Sequence, residues 1–302
     1  MLDTLVKLLP ALLGIAVGYV LRRRGIADDR DGDFMFALII NAFLPALAFT
    51  SLSRARIDQH LAIFPLAAFF TISGGYLAGR LVASKGPFVG TQRAVLVCCC
   101  MNVNTGFVLP FIQGLFGDAG VARIAAFDAV NTTLMFTWTA YVAARGNPRY
   151  TRGSSALMIR RFAKSPPLYA IAAGLLVSAL DVHVPTAIFS PLATFGAATG
   201  VLMAIGVGIR FEPPGRDIGK AALVFATRVV SGLTVAIAVV LIFGLTGIDR
   251  TVMLLMGVAP TPFFVVPFAT MENLDVRLTV NTLSLSMLTS LPLAVAVILL
   301  TT

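Results

Sequence analysis

The chain has 302 residues, of which 58% are hydrophobic and only 12% charged, with a mean hydropathy of +0.90. A water-soluble domain needs roughly a quarter of its residues charged, so this composition excludes a soluble globular protein and makes lipid the main solvent. The formal charge of +9 comes from basic residues that stand in short gaps between apolar runs, where they set membrane orientation, so nucleic acid is excluded as a partner.

In chain order the apolar runs cover about 5–21, 34–52, 61–83, 91–115, 121–144, 166–181, 187–211, 219–245, 251–271 and 276–300. They predict an all-α polytopic membrane protein with ten transmembrane helices. At about 1.5 Å per residue each run crosses, or nearly crosses, a hydrocarbon core of about 30 Å, the sixth being the shortest. The basic cluster follows the first run and no A-x-A site is evident, so that run reads as a helix rather than a cleavable signal. Cys98, Cys99 and Cys100 splay to different faces of the fourth run and match no zinc or redox spacing; they read as small packing residues. The longest gap, Arg145 to Ser165, leaves no room for a nucleotide domain, and no GxxxxGK[ST] loop is present. HExxH, GxSxG and GxGD are also missing, so neither an enzyme, a metal site nor a cofactor is expected.

Ten helices place both termini on one side of the membrane. Seventeen of the 23 Lys and Arg fall in the gaps of one side and five on the other, with Arg228 inside a run. The positive-inside rule makes the first set cytoplasmic and predicts a multi-pass protein of the cell (inner) membrane with both termini outside. Sliding the chain against itself by about 157 residues brings Pro10 to Pro167 and Pro110 to Pro267, the third run onto the eighth and the fifth onto the tenth. Residues 1–150 and 151–302 then form two five-helix repeats in one membrane domain. Five is odd, so the second repeat is inverted relative to the first, the arrangement of many secondary transporters.

Two corresponding runs look broken. The fourth carries Asn102 to Pro110 with Asn104, Thr105 and Gly106; the ninth carries Ala259 to Pro267 with Thr261 and Pro262. Proline removes a backbone donor and glycine weakens helix, so both stretches are expected to unwind near mid-membrane. Unwound backbone survives in a bilayer only where protein or a cavity covers it, so the breaks are expected to face each other. Half-helix N-termini meeting there would favour an anion, most simply a carboxylate, with Asn104, Thr105 and Thr261 adding hydrogen bonds. The competing reading is that these prolines only kink packed helices. Asn41, with Pro45, is a candidate for a further unwound turn near the crossing. Asp128 and Asn131 share one helical face and suit proton or cation coupling, against the alternative of a solvated position near the interface. Arg228 either snorkels to the cytoplasmic face or completes an anion site. Asn281 is the one residue of the last gap within reach of a cavity, Glu272, Asp275 and Arg277 being read as loop charges; His60 and His183 fall in outer loops.

Asn41-Ala42-Phe43-Leu44-Pro45-Ala46-Leu47, then Asn104-Thr105-Gly106-Phe107-Val108-Leu109-Pro110 followed by Gly114-Leu115-Phe116-Gly117-Asp118, then Ala259-Pro260 with Pro267 before Leu291-Pro292-Leu293, together resemble the auxin efflux carrier family. That family includes bacterial malonate and malate permeases and the plant PIN-formed carriers, and the likeness spans nearly the whole chain. It implies a ten-helix fold related to the bile acid:sodium symporters, with crossed fourth and ninth helices and an organic anion as substrate. Asn104 and Pro110 match the family's fourth-helix motif and Pro267 its ninth-helix proline, with Thr261 and Pro262 a looser match. The long hydrophilic loop of the plant carriers is absent, which favours a compact bacterial-type permease. No dense acidic and polar cluster of the kind a two-sodium site needs is present, so proton coupling or uniport stands at least level with sodium. The expected function is secondary active transport of small carboxylates, malonate- or malate-like dicarboxylates among them. The alternatives are a sodium-coupled symporter of a larger amphipathic anion and a membrane sensor that does not transport. Expected partners are the carboxylate, H+ or Na+, the lipid bilayer and a second copy of the chain as a homodimer.

Overall fold

The computed structural model describes residues 2–54, 59–147, 166–211, 218–262 and 264–301, and these are helical almost throughout, with no strand among them. The helices are α1 (Leu2–Arg23), α2 (Asp29–Leu38), α3 (Leu44–Ser53), α4 (Gln59–Lys85), α5 (Gln92–Met101), α6 (Thr105–Leu134), α7 (Ala140–Gly146), α8 (Pro166–Ala179), α9 (Thr186–Ala197), α10 (Thr199–Arg210), α11 (Ile218–Phe243), α12 (Gly247–Val258), α13 (Val265–Met271) and α14 (Val276–Thr301). Single π-turns, Ile39–Phe43 and Met135–Thr139, join α2 to α3 and α6 to α7. The segment 148–165, which contains the expected repeat boundary and five of the seventeen basic residues, lies outside the described residues, as do Arg56 and Arg216.

Six helical stretches among the described residues are long and apolar enough to cross a membrane, which makes the chain a polytopic membrane protein. One of them, Gln92–Gly146, has 55 residues. At 1.5 Å per residue that is about 80 Å, far beyond a core of about 30 Å, so it must reverse. It reverses at Gly117, whose φ of 53° and ψ of −141° suit glycine and strain any other residue. The sixth apolar run forms only the 14 residues of α8, a rise of about 21 Å. At the start of α2 the side chain of Asp28 accepts from the backbone of Arg30 and Asp31 while Asp31 accepts from the Asp28 N–H, a capping box. The Asp31 N–H, and next the Arg30 N–H, hold the Asp28 carboxyl below its usual range.

Lipid tails are as apolar as leucine, so these helices associate through close packing and polar contacts rather than through a hydrophobic drive. Glycines set the closest approaches. A Cβ on Gly18 would stand 2.0 Å from the Ile205 carbonyl oxygen, and one on Gly208 would stand 2.1 Å from that of Ile15, which holds α1 against α10. Likewise α4 crosses α5 where a Cβ on Gly75 would meet the Cys100 oxygen at 2.1 Å, and α11 crosses α12 where one on Gly232 would meet the Gly257 oxygen at 2.5 Å. These last two crossings press α4 and α11 onto the C-terminal turns of α5 and α12, where the chain leaves the helix.

Candidate functional site

The first interruption is Asn102–Asn104, between α5 and α6, and all three residues are buried. An unpaired backbone group there costs several kcal/mol in hydrocarbon, so every donor needs a partner. Asn131 serves both backbone groups of Val103. Its Nδ2 donates to the Val103 carbonyl at 3.1 Å, and its Oδ1 accepts from the Val103 N–H at 3.1 Å. The side chain thus pairs with Val103 as a neighbouring strand would. Asn102 Nδ2 donates to the Asn131 carbonyl at 2.9 Å, and Thr139 Oγ1 donates to Asn102 Oδ1. Asn104 then caps α6, its Oδ1 accepting from the Phe107 N–H at 3.1 Å.

The second interruption begins at Ala259, after α12, and ends before α13. Pro260 and Pro262 lack an N–H, so they remove two donors that unwound backbone would otherwise leave to be satisfied. The two interruptions touch. The Asn104 N–H donates to the Pro260 carbonyl at 3.1 Å, and Asn104 Nδ2 approaches the Thr261 carbonyl at 3.5 Å. Thr261 Oγ1 donates to the Cys99 carbonyl at 3.2 Å, and its N–H to Ser286 Oγ of α14 at 3.3 Å. The breaks therefore face each other, and a kink in packed helices does not describe them.

Two charged side chains flank this contact on different sides. The half-buried Asp128 accepts from Thr105 Oγ1 at 2.8 Å and Asn131 Nδ2 at 3.0 Å on one oxygen, and from Thr132 Oγ1 at 2.9 Å on the other. It thereby ties the start of α6 to the asparagine that holds the break. Arg228 of α11 is 0% exposed and does not snorkel to a surface. Its Nε donates to the Asn102 carbonyl at 3.3 Å, and its terminal nitrogens to the carbonyls of Gly257 at 3.4 Å and Met256 at 3.2 Å. These carbonyls end α5 and α12, where the helix leaves its last oxygens unpaired.

The remaining sequence-derived residues are distributed as follows. Thr105 and Gly106 are half-buried on the open side of the first break, with Gly106 against Met203 of α10. Thr261 and Pro262 are buried within the second break. Pro110 stands inside α6 and not in the unwound stretch, which is three residues long. Pro267 belongs to the first turn of α13, where a missing N–H costs no helix bond; its side chain lies outside the described residues. Asn41 is exposed at the π-turn and donates to the Ala37 carbonyl at 2.7 Å, satisfying its own helix rather than reaching the crossing. Asn281 is buried and lines a cavity of about 340 Å³ with Gln92, Lys220, Asp275 and Arg277, at the N-terminal ends of α5, α11 and α14. In that cavity Lys220 donates to Gln92 at 2.8 Å and Gln92 to Asp275 at 2.9 Å. The three cysteines are free and buried, in keeping with a packing role. Asn102, Thr139 and Ser286 act at the crossing and were not singled out by sequence, because their partners are backbone groups or come from distant runs.

The two interrupted helices thus meet and bond to each other, with α6 starting at the contact and Arg228 holding the carbonyls that end α5 and α12. The sequence profile of the family described as membrane transport protein matches residues 3–298. The chain belongs to this family, which is auxin efflux carrier-like. A relative in Methanothermobacter thermautotrophicus, described as an uncharacterized transporter, is 26% identical over 290 residues, covering 94% of this chain and 93% of its own. As a member of the membrane transport protein family, the chain works within a lipid bilayer and has a substrate to carry.

Proposed function

We propose that this membrane transport protein is a secondary active carrier of small carboxylates, working by alternating access around the paired breaks. The observation that carries the reading is the direct backbone bond from Asn104 to Pro260 between two interrupted, buried segments. Broken helices at mid-membrane are where carriers of this kind hold their substrates. In this reading Asn104, Thr105 and Gly106 at the first turn of α6, with Thr261 and Pro262 opposite, cradle the carboxylate, and Pro110 and Pro267 stiffen the half-helices behind them. Asp128 and Asn131 couple binding to a proton, and Asn41 borders the moving faces. The cavity at Asn281 is the cytoplasmic approach, by the bias of Lys and Arg toward that side, with both termini outside the cell membrane. The protein is not an enzyme in this reading.

Ten spans in two inverted repeats, 1–150 and 151–302, go with it, and one offset supports them. Asn104 and Thr261, bonded across the crossing, are 157 residues apart. The same offset takes 29–53 (α2 to α3) onto 186–210 (α9 to α10), and the end of α5 onto the end of α12. It also takes the contact of Gly75 with the Cys100 oxygen onto that of Gly232 with the Gly257 oxygen. In this reading the two halves, each with the same internal crossing, move against each other in alternating access.

Counterflow of radiolabelled malonate and malate in proteoliposomes tests the reading. Exchange of label across the membrane is the expected result; binding without exchange would leave a sensor, and exchange only of larger amphipathic anions with sodium would leave the symporter. Asn104→Ala and Pro267→Ala are each expected to lower transport at least about tenfold while folded yield falls less than about twofold. Equal losses in both would return the breaks to a packing role.

A further inference from the structure

We infer that Arg228 occupies the place of a coupling cation: its guanidinium is a resident positive charge that closes the carbonyl ends of both interrupted helices, so the crossing takes up no sodium. The inference rests on the carrier reading of the crossing. In carriers with discontinuous helices, unwound carbonyls and half-helix C-termini are the groups that hold a mobile cation, because each such end carries about half a negative charge. Here those groups are already engaged. The Asn102 carbonyl follows α5, the Met256 and Gly257 carbonyls belong to the last turn of α12, and one side chain of α11 donates to all three.

The packing around the guanidinium supports the assignment. A Cβ on Gly232, one turn along α11, would lie 2.3 Å from an Arg228 terminal nitrogen and 2.5 Å from the Gly257 oxygen, so only glycine leaves room for the charge between α11 and α12. The offset of 157 that relates the two halves places Thr71 at the corresponding point of α4, and Thr71 bonds back to the Ala67 carbonyl of its own helix. The cation is therefore supplied once, from the second half, and reaches across to Asn102 of the first. Two features follow. The charge cannot leave, so it contributes nothing to the driving force. It also fixes the two C-terminal ends together, leaving the start of α6 after Asn104 as the end proposed to meet an anion.

The test is thermal stability of the purified protein in choline, sodium and low-millimolar guanidinium chloride, with counterflow measured in parallel. Wild type is expected to shift by less than about 1 °C among the three and to exchange carboxylate equally in choline and sodium. Arg228→Ala leaves three buried carbonyls without a donor and is expected to lose about 5 to 10 °C in choline. Sodium or guanidinium filling the vacated site is expected to return about 3 °C or more of it. A sodium requirement in wild type overturns the inference, as does an Arg228→Ala protein that no cation restores, or an Arg228→Met protein as stable as wild type. Should Arg228→Ala fail to fold, Arg228→Lys against Arg228→Met decides: lysine nearer to wild type supports a cationic role and methionine nearer overturns it. Absence of counterflow with every carboxylate sinks the carrier reading instead, and leaves the stability comparison standing.

Discussion

Asn131→Leu is expected to abolish counterflow and to cost the protein much of its stability. Leucine has the branched skeleton of asparagine but is bulkier and has neither polar atom, so the Val103 N–H loses its partner, the Val103 carbonyl keeps only the Thr105 N–H at 3.1 Å, and the filled site is overpacked. Val103 is 1% exposed, and water does not reach it to compensate. The orphaned donor costs about 1–3 kcal/mol and overpacking a filled site about 1–3 kcal/mol more, giving about 2–6 kcal/mol together. Stabilities of folded proteins run at about 5–15 kcal/mol, so a fall in apparent Tm of about 10 °C is expected for the purified variant. Asn131→Asp is the informative control. It keeps an acceptor for the Val103 N–H, loses the donor to the Val103 carbonyl, and sets a second carboxylate beside Asp128; it is expected to fall between wild type and leucine. A leucine variant with wild-type Tm and wild-type exchange would show that the break is held by something other than this amide.

The geometry behind that prediction was only partly legible in the sequence. Asn and Gly in the fourth run, and three prolines in the ninth, marked where the helices would fail, because missing donors and low helix propensity are properties of single residues. The extent was misplaced. Pro110 stays helical and only Asn102–Asn104 unwinds, since Asn131 pays back the lost backbone bonds at that point and nothing does so farther on. Asp128 and Asn131 could be placed on one face by their spacing of three, but not on the break, which requires knowing that Gly117 folds the chain back on itself. Arg228 was the least legible residue. Its partners are three backbone carbonyls, which have no sequence signature, and a lone arginine in an apolar run is equally compatible with the lipid surface and with an anion. Asn41 went the other way: beside Pro45 it resembled a crossing residue, yet its amide serves the carbonyl that a π-turn frees.

Asp128→Asn is expected to leave carboxylate exchange largely intact while removing proton-driven accumulation. The substitution is nearly isosteric, and the amide oxygen keeps an acceptor for Thr105 and Asn131, whereas Thr132 can rotate its hydroxyl to accept from the new NH2. The hydrogen-bonded scaffold of the break is therefore retained and only the titratable charge is lost. If that charge carries the coupling proton, a carrier without it still equilibrates labelled anion between two sides but gains nothing from a pH gradient. One pH unit is worth about 1.4 kcal/mol per proton, so an imposed gradient of about two units sustains roughly a hundredfold accumulation in wild type at one proton per anion. The variant is expected to reach no more than the gradient-free level, with counterflow within about threefold of wild type. Accumulation by Asp128→Asn that matches wild type would move the coupling proton to another group, and loss of exchange along with accumulation would make Asp128 a part of the binding site rather than of its coupling. Because Thr105 and Asn131 share one oxygen of this carboxylate, a proton taken up on the other would turn two charge-assisted hydrogen bonds, to the first turn of α6 and to the amide that holds Val103, into neutral ones without breaking them, which places the coupling proton beside the segment proposed to grip the substrate.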